Sequence, residues 1–356
     1  MKSIFLILLL TLGAQAERFL IGTSTGGDSK GIYLAEFDPK TGKLSDAKLA
    51  AEAKNPGFLA FHPDKSVVYA SQGDKVSAFN YTDEGALTLL NTAPVTGKGA
   101  CHLDVYSSGK ALATSNYGDG TISTFLLKDD GSIIPGSILL RNPGKSIHPR
   151  QKGPHAHGIH FLADTMFVPD LGLDKILAYT FDPTRGNNPV RATPPATNVT
   201  PGDGPRHLAF HPDKKHLFAI HELSSHAEAF TINGAQLTST SRVSTLPEDF
   251  EGKNTTAEIE AHPNGRWVFA SNRGHDSIVL FAFDAESGEL ARKAVVPCGA
   301  AHPRHFTLTP DGNWLLVAGR DSNNIRVMSF DPESGKLELT SEAIETPSPI
   351  CLKFLP

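Results

Sequence analysis

The chain has 356 residues, of which 39% are hydrophobic and 20% charged, and its formal net charge at pH 7 is −5. These values are ordinary for a soluble globular protein and exclude a low-complexity chain. No run of Lys and Arg interleaves with aromatic residues, which argues against a nucleic-acid partner. The three cysteines, Cys101, Cys298 and Cys351, form no CxxC pair. Three cysteines leave room for one disulfide bridge, but we expect three free buried thiols and no disulfide framework.

Residues 1–16 have the features of a secretory signal peptide. Lys2 supplies the positive region, "IFLILLLTLG" the apolar core, and Ala14-Gln15-Ala16 a small-x-small cleavage site. The apolar run is too short to span a membrane. We therefore expect an exported protein, periplasmic or secreted, whose mature part is one domain at 17–356 without a membrane association. The alternatives are a buried N-terminal strand and an uncleaved anchor.

One structural unit recurs along the rest of the chain. It consists of a Pro, a short alternating strand, a Pro-Asp-Gly-like turn, a second apolar strand, a polar turn and a third strand that ends in Phe-x-x-Asp. Clear copies begin at Pro56, Pro205 and Pro303. No segment shows a sustained helical period, and the spacing of roughly 45 to 52 residues is that of a four-stranded propeller blade. The sequence thus predicts an all-β fold with seven blades.

The two ends of the chain predict how the ring closes. The first copy, which starts at "FLIGTS", lacks an inner strand, whereas the last residues, "PSPICLKFLP", resemble an inner strand with nothing after it. We expect the C-terminal strand to join the N-terminal blade, which removes the free sheet edges that favour aggregation.

Two positions of the repeat carry different residues in different copies, as functional positions do in a repeat protein. The first, at the start of the inner strand, holds Gly57, His102, Arg206 and Arg304, with His155 and His157 near it in the fourth copy. The second, at the end of the second strand, holds Gly73, Tyr117, Asp170, Glu222, Arg273 and Arg320. Because these strands are the innermost of each blade, we expect both positions to open on one mouth of the central channel.

This set of residue types suits hydrolysis by an activated water molecule. A His or Glu can accept a proton from water, and Arg binds a carboxylate, a phosphate or a developing oxyanion. Each residue also has a structural alternative: Arg206 could bridge two blades, Glu222 and Arg273 could belong to turns, and His157 could be a core histidine. Tyr117 suits packing and Asp170 suits turns, so these two carry less weight. The recurring His62, His211 and His262 of the His-Pro turns are expected to be structural.

The segment "HAHGIH" does not have the pattern of a zinc site. Strand alternation puts His155 and His157 on one face and His160 on the other, and no acidic ligand lies at a diagnostic spacing. We therefore expect no metal and no cofactor.

Several motifs resemble those of the seven-bladed β-propeller lactonases, a family that includes bacterial 6-phosphogluconolactonase and fungal carboxymuconate cyclase. They are "NYGDGTISTF", "PHAHGIHF", "VPDLGLDKI", "GDGPRHLAFHPDKKHLFAIHEL", "SNRGHDSI" and "HPRHFTLTPDGNWLLVAG", and the resemblance covers essentially the whole mature chain. It implies a site at one end of the channel formed by a His, two Arg and a Glu. By motif these catalytic residues are His157, Arg206, Glu222 and Arg273. The chain departs from the family in having His221, where Asn is usual, and in its signal peptide.

The leading hypothesis is metal-independent hydrolysis of an anionic sugar lactone, with His155, Tyr117, Asp170, Arg304 and Arg320 as further substrate-binding residues. One alternative is the reverse reaction, in which a muconate-type dicarboxylate is cyclised to its lactone. Another is an exported propeller that only binds, which would require a large apolar patch at the channel mouth. The sequence leaves open the true substrate, the oligomeric state and whether Glu222 or His157 is the base.

Overall fold

Seven antiparallel sheets surround a central channel in the computed structural model, which describes residues 16–136, 138–186, 190–191 and 195–356. The predicted signal peptide, apart from Ala16, lies outside the described residues. Within these ranges, no helix combines the length and the apolar character needed to cross a membrane. The seven blades are numbered here in chain order, with blade one at the N-terminus.

Each blade has four strand positions from the channel outward. The inner strands of blades two to seven and, last, of blade one are Phe58–Phe61, Ala100–Val105, His160–Leu162, Pro205–Phe210, Thr255–Ala261, Pro303–Leu308 and Pro349–Phe354. The second strands of blades one to seven are Glu17–Thr23, Val67–Ser71, Ala111–Asn116, Thr165–Asp170, His216–His221, Trp267–Arg273 and Trp314–Gly319. The third strands are Gly31–Asp38, Lys75–Tyr81, Thr121–Leu126, Lys175–Phe181, His226–Asn233, Ser277–Asp284 and Asn324–Asp331.

The outer strands are less regular than the inner ones. Those of blades two, three, five, six and seven are Leu87–Pro94, Ile138–Leu140, Gln236–Ser244, Glu289–Pro297 and Lys336–Glu345. Blades one and four have two short outer segments each, Lys43–Leu44 with Lys48–Glu52 and Val190–Arg191 with Ala196–Asn198. A single turn of 3-10 helix, Pro183–Arg185, follows the third strand of blade four.

The predicted closure of the ring is confirmed. The C-terminal strand Pro349–Phe354 pairs antiparallel with Glu17–Thr23, so that Phe19 faces Phe354 and Gly22 faces Cys351. Because the second strands are buried on both faces, as in Val67–Ser71, the core lies between adjacent sheets and not within one blade. Each blade is thus stabilised by its two neighbours, and the last strand is needed to complete the first blade.

The histidines of the His-Pro turns join neighbouring blades, as the sequence predicted for a structural role. The Nε2 atoms of His62, His211 and His262 lie 3.1, 3.0 and 3.1 Å from the carbonyl oxygens of Gly109, Gly265 and Gly312 in the next blade. Each Nδ1 accepts a backbone N–H of its own turn, so Nε2 carries the proton and donates it. The three glycines have φ of 67°, 75° and 75°, and a Cβ on any of them would lie within 2.5 Å of the histidine ring.

Candidate active site

A cavity of about 510 Å³ opens at the end of the channel where the second strands finish. It is lined by Gly99, Cys101, Tyr117, Gly118, Arg150, His157, Glu222, Thr255, Arg273, His302, Arg304 and Arg320. The second strands bring Tyr117, Glu222, Arg273 and Arg320 to this end because each side chain stands at the last residue of its strand or directly after it. Residues from both variable positions of the repeat, such as Arg304 and Glu222, therefore lie at this mouth.

β-bulges deliver the residues of the inner strands. The register of the inner strands of blades three, five and seven shifts by one residue, which leaves Cys101, Arg206 and Arg304 unpaired at the bulge. A bulge re-aims the side chain of the extra residue, and bulges are common beside active sites. The register also corrects the sequence alignment, which had put His102 in this position. Cys101 occupies it, and the His102 Nδ1 atom instead accepts the N–H of Ile159 in the channel wall.

Glu222 is the centre of the charged network. Its Oε2 atom lies 3.1 Å from Arg206 Nε and 3.1 Å from Arg273 Nη2, and its Oε1 atom lies 2.7 Å from Arg150 Nη1. His157 Nε2 is 4.0 Å from Oε2. Burial alone would raise the pKa of Glu222, but Arg273, Arg206, His157 and Arg150 together hold it far below its usual range. The carboxylate is therefore ionised over the whole physiological pH range.

His157 lies between the carboxylate and a thiol. Its Nδ1 atom is 3.9 Å from Cys101 Sγ, opposite the nitrogen that faces Glu222. Burial, Arg206 and His207 lower the pKa of His157 well below its usual value, although Glu222 opposes them. The imidazole is consequently neutral at pH 7 and can accept a proton.

The cavity and the region beneath it contain several arginine side chains whose positive charges repel one another. Burial, with Arg304 and Arg273, lowers the pKa of Arg206 to about 9, which still leaves it charged at neutral pH. No described residue hydrogen-bonds or ion-pairs the Arg304 side chain, and Arg273 Nε is buried without a partner. Arg320 is held by Asp321 at 2.7 Å. A bound carboxylate or phosphate would relieve this repulsion.

Arg206 lies beneath the cavity and does not line it. Its side chain is 2% exposed, and its Nη1 atom donates to the Ala257 carbonyl at 2.6 Å while Nε faces Glu222. This fixed geometry suits an arginine that positions Glu222 and contributes positive charge from below.

Two of the sequence-predicted substrate-binding residues, His155 and Asp170, do not line the cavity. Asp170 is fully buried, and its Oδ1 accepts the N–H groups of His155, Gly172 and Leu173. His155 stacks on Tyr117 at 4.7 Å and donates from Nδ1 to its carbonyl oxygen. Both residues therefore support the cavity wall from behind. Burial raises the pKa of Asp170 to about 7 because its three N–H donors do not fully compensate it.

Arg150 is the main residue that the sequence reasoning missed. It lies in residues 141–159, the longest of the connections between blades, and has no equivalent in the repeat. A comparison of repeat positions therefore had no means of finding it; an arginine in an unusually long connection was the only available signal. Cys101 was missed because the third copy was aligned one residue out of register; "ACHLDV" aligned without a gap on "PRHLAF" puts Cys101 opposite Arg206.

Two groups of described residues have donor atoms close enough for a metal ion, and neither belongs to the cavity: His211, Asp213 and His216, and Asp203, His221 and Glu228. In the first, His211 Nδ1 already accepts the Asp213 N–H at 3.2 Å. In the second, Arg242 binds both oxygens of Asp203 and supplies the positive charge itself.

The "HAHGIH" histidines diverge, and His160 Nε2 accepts the Leu208 N–H. His221, the family departure, points to Glu228 at 2.8 Å and away from the cavity.

Comparison with known proteins assigns the chain to a family. The model of the family described as "Lactonase, 7-bladed beta-propeller" matches residues 18–354. The chain is 33% identical to 6-phosphogluconolactonase of Bacillus subtilis (strain 168) over 94% of its length and 97% of that protein. It is 32% identical to 6-phosphogluconolactonase of Formosa agariphila over 78% and 82%. The solved structure of the periplasmic gluconolactonase of Pseudomonas aeruginosa superposes with a TM-score of 0.90 at 27% identity, covering 96% of this chain and 99% of that one. The chain belongs to the seven-bladed β-propeller lactonase family.

Proposed function

We propose that the protein hydrolyses an anionic sugar lactone of the 6-phosphogluconolactone type with an activated water molecule and without a metal. The observation that carries this proposal is the combination, around one cavity, of an ionised Glu222, a neutral His157 and four lining arginines. A base next to an excess of positive charge is what hydrolysis of a negatively charged ester requires.

Each group has a chemical role in this proposal. Glu222 or His157 takes a proton from water, whose oxygen attacks the lactone carbonyl carbon. Arg273, with Arg206 behind it, stabilises the negative charge that develops on the carbonyl oxygen. The ring C–O bond then breaks, and the ring oxygen receives the proton from the same base. The two arginines supply positive charge that other hydrolases obtain from a metal ion.

The substrate's own anionic group is expected to bind Arg304 and Arg320. Both line the cavity, and the guanidinium of Arg304 has no partner among the described residues. A phosphate and a carboxylate would both satisfy these groups, because a guanidinium binds either with two hydrogen bonds. We further propose that the protein is exported. The pattern of residues 1–16 supports export, as does the likeness to a relative whose name places it in the periplasm.

A panel of lactones assayed on the purified protein tests the proposal. It contains glucono-δ-lactone, its 6-phosphate and carboxymuconolactone, with cis,cis-carboxymuconate as the substrate of the reverse reaction. We expect hydrolysis of at least one sugar lactone, retained after treatment with EDTA, and loss of turnover in Glu222→Gln. Activity only with the muconate would favour the cyclising alternative, and binding without any turnover would favour the non-catalytic one.

A further inference from the structure

Arg150 holds one oxygen of Glu222 from the solvent side of the cavity. Its Nη1 atom lies 2.7 Å from Glu222 Oε1, and its Nη2 atom donates to the Tyr117 hydroxyl at 2.8 Å. Among the described residues, no other side chain makes an ion pair or hydrogen bond to Oε1. The two oxygens of this carboxylate are thus held by different parts of the molecule.

The arginines on the other oxygen are built into the scaffold, whereas Arg150 is not. Arg206 and Arg273 are 2% and 6% exposed, and each also donates to a backbone carbonyl of blade six. The Arg150 side chain is 42% exposed, and its described partners are two side chains only. The Arg150 guanidinium can therefore turn from Glu222 to water or a ligand and stay solvated, whereas Glu222 Oε1, in a side chain that is 5% exposed, is then left to the water or substrate in the cavity.

The backbone of the connection that carries Arg150 is fixed at the next residue. Gln151 is fully buried, and its side chain donates to the Leu171 carbonyl and to Asp174 Oδ1, both at 2.7 Å. Its Oε1 atom accepts the His148 N–H at 2.9 Å. These contacts anchor the backbone beside Arg150, so a different position of its exposed side chain does not require the connection to move.

We propose that Arg150 is a cap on the general base, which the anionic group of the substrate draws away from Glu222. In the free protein the cap neutralises Oε1. When a phosphate or carboxylate enters the cavity, Arg150 turns to it, and Oε1 becomes a free proton acceptor that faces the substrate. The anionic group is then both a binding determinant and the signal that switches the base on. This inference rests on the proposed function and makes Glu222, in preference to His157, the base.

The proton transfer then follows a balanced course. Oε1 takes a proton from water as the water oxygen bonds to the lactone carbonyl carbon. The ring C–O bond breaks when the tetrahedral intermediate collapses, and the ring oxygen takes the proton back from Oε1. Arg206, Arg273 and His157 face Oε2 throughout, and Arg304 faces the same cavity from blade seven. These groups keep the carboxylate oriented while its other oxygen reacts.

Substitution of Arg150 separates the cap from ordinary charge effects. In Arg150→Gln we expect kcat/KM for the 6-phosphate of glucono-δ-lactone to fall about 10- to 100-fold, because a partly buried charge contact is lost. For the neutral lactone, which cannot draw Arg150 away in the wild-type protein, kcat/KM should rise, since Oε1 is already uncapped in the variant. Lys152→Gln is the matched control; it removes a charge from the same connection, at an exposed residue with no described side-chain contact. An unchanged preference for the phosphorylated lactone in Arg150→Gln would overturn the proposal.

A measurement that does not depend on catalysis distinguishes an error in the cap proposal from an error in the proposed function. The ionisation of Glu222 is followed by NMR of protein labelled with ¹³C at the glutamate carboxyl groups, with Glu222→Gln to assign the signal. Arg150→Gln should raise the pKa of Glu222, and 6-phosphogluconate should raise it in the wild-type protein as it binds. If both shifts occur in a protein that hydrolyses no lactone, the cap stands and the lactonase proposal falls. If neither shift occurs in an active lactonase, the cap is wrong.

Discussion

Arg206 Nε lies 3.1 Å from Glu222 Oε2, with both side chains almost completely buried. A buried ion pair holds its members in one geometry because neither can exchange its partner for water. The neighbouring contacts of Arg206, to the Ala257 carbonyl and to the ring of His207, fix the guanidinium on its other side. Arg206 therefore fixes the candidate base from below the cavity, together with Arg273 on the same oxygen.

Removal of this arginine should affect both activity and stability. Arg206→Ala is expected to lower kcat about 10²- to 10³-fold and to destabilise the fold by about 3–5 kcal/mol, the usual result of breaking a buried pair. Arg206→Lys should not restore activity, since one ammonium group cannot reach both Glu222 and the Ala257 carbonyl in this geometry. Steady-state kinetics and thermal unfolding measure the two effects. Arg266→Ala, in an exposed pair with Glu333, is the control, and full activity of the lysine variant would contradict this role.

The pH profile of the wild-type protein should reflect two lowered pKa values. Glu222 is held far below its usual range by the arginines around it, and His157 well below its own by burial and Arg206. A base works when deprotonated, so a lowered pKa moves the acidic fall in kcat/KM to lower pH. We expect kcat/KM to stay flat from pH 8 to below about 6.5, the usual histidine value. An acidic limb at or above that pH would show that an ordinary histidine controls the rate. Arg150→Gln should move the limb upward, because it raises the pKa of Glu222.

The other end of the channel should give the fold a dependence on pH. Burial raises the pKa of Glu260 to about 7, although Lys353 and the N–H of Leu308 oppose this. The folded state thus binds the proton more tightly than the unfolded chain does. The resulting stability is fully present below the unfolded pKa and is lost as the pH rises through about 7.

Glu260→Gln should remove this dependence while keeping an oxygen for the Leu308 N–H. We expect the variant to be about 1–3 kcal/mol more stable than the wild type at pH 8 and nearly equal to it at pH 4. Denaturant unfolding at the two pH values measures the difference. The control is Glu289→Gln at an exposed position on the outer strand of blade six. A variant that is equally destabilised at both pH values would contradict this account.

Ring closure predicts that the last strand is essential. Deletion of residues 349–356 removes the fully buried Cys351 and Leu352 and leaves the strand Glu17–Thr23 without its inner partner. We expect the unfolding transition to lose its cooperativity and the protein to aggregate through the exposed edge. Circular dichroism and size-exclusion chromatography follow both effects, and deletion of the exposed Pro356 alone should leave them unchanged. A soluble, cooperatively folding product of the longer deletion would show that blade one is stable without its inner strand.

Much of the fold could be predicted because the repeat consists of sequence signals that act locally. Turn residues, strand alternation and the His-Pro turn recur at a regular spacing, and each sets only its own hairpin. The unmatched first and last copies then required closure, which the pairing of Phe19 with Phe354 confirms. Residues such as Glu222 and Arg273 could be found for the same reason, since a regular scaffold makes an exceptional residue visible.

The remainder of the site depends on distances that a repeat does not encode. The direction in which Cys101, Arg206 and Arg304 point depends on a one-residue bulge in each inner strand, and no turn or periodicity signal marks these bulges. Asp170 has the right position in the repeat, but three backbone N–H groups take up one of its carboxylate oxygens, so it serves the wall of the cavity.

The sequence by itself determined the blades, their number, their closure and the mouth at which the polar residues gather, because these follow from local patterns repeated along the chain. Only the tertiary structure decided which residues touch. Arg150 reaches Glu222 from a connection outside the repeat, across 72 residues of sequence and 2.7 Å of space. This contact arises because blades three to five are packed around the channel, and the ionisation of Glu222, to which Arg273 of blade six also contributes, follows from the packing and not from any pattern near Glu222 in the chain.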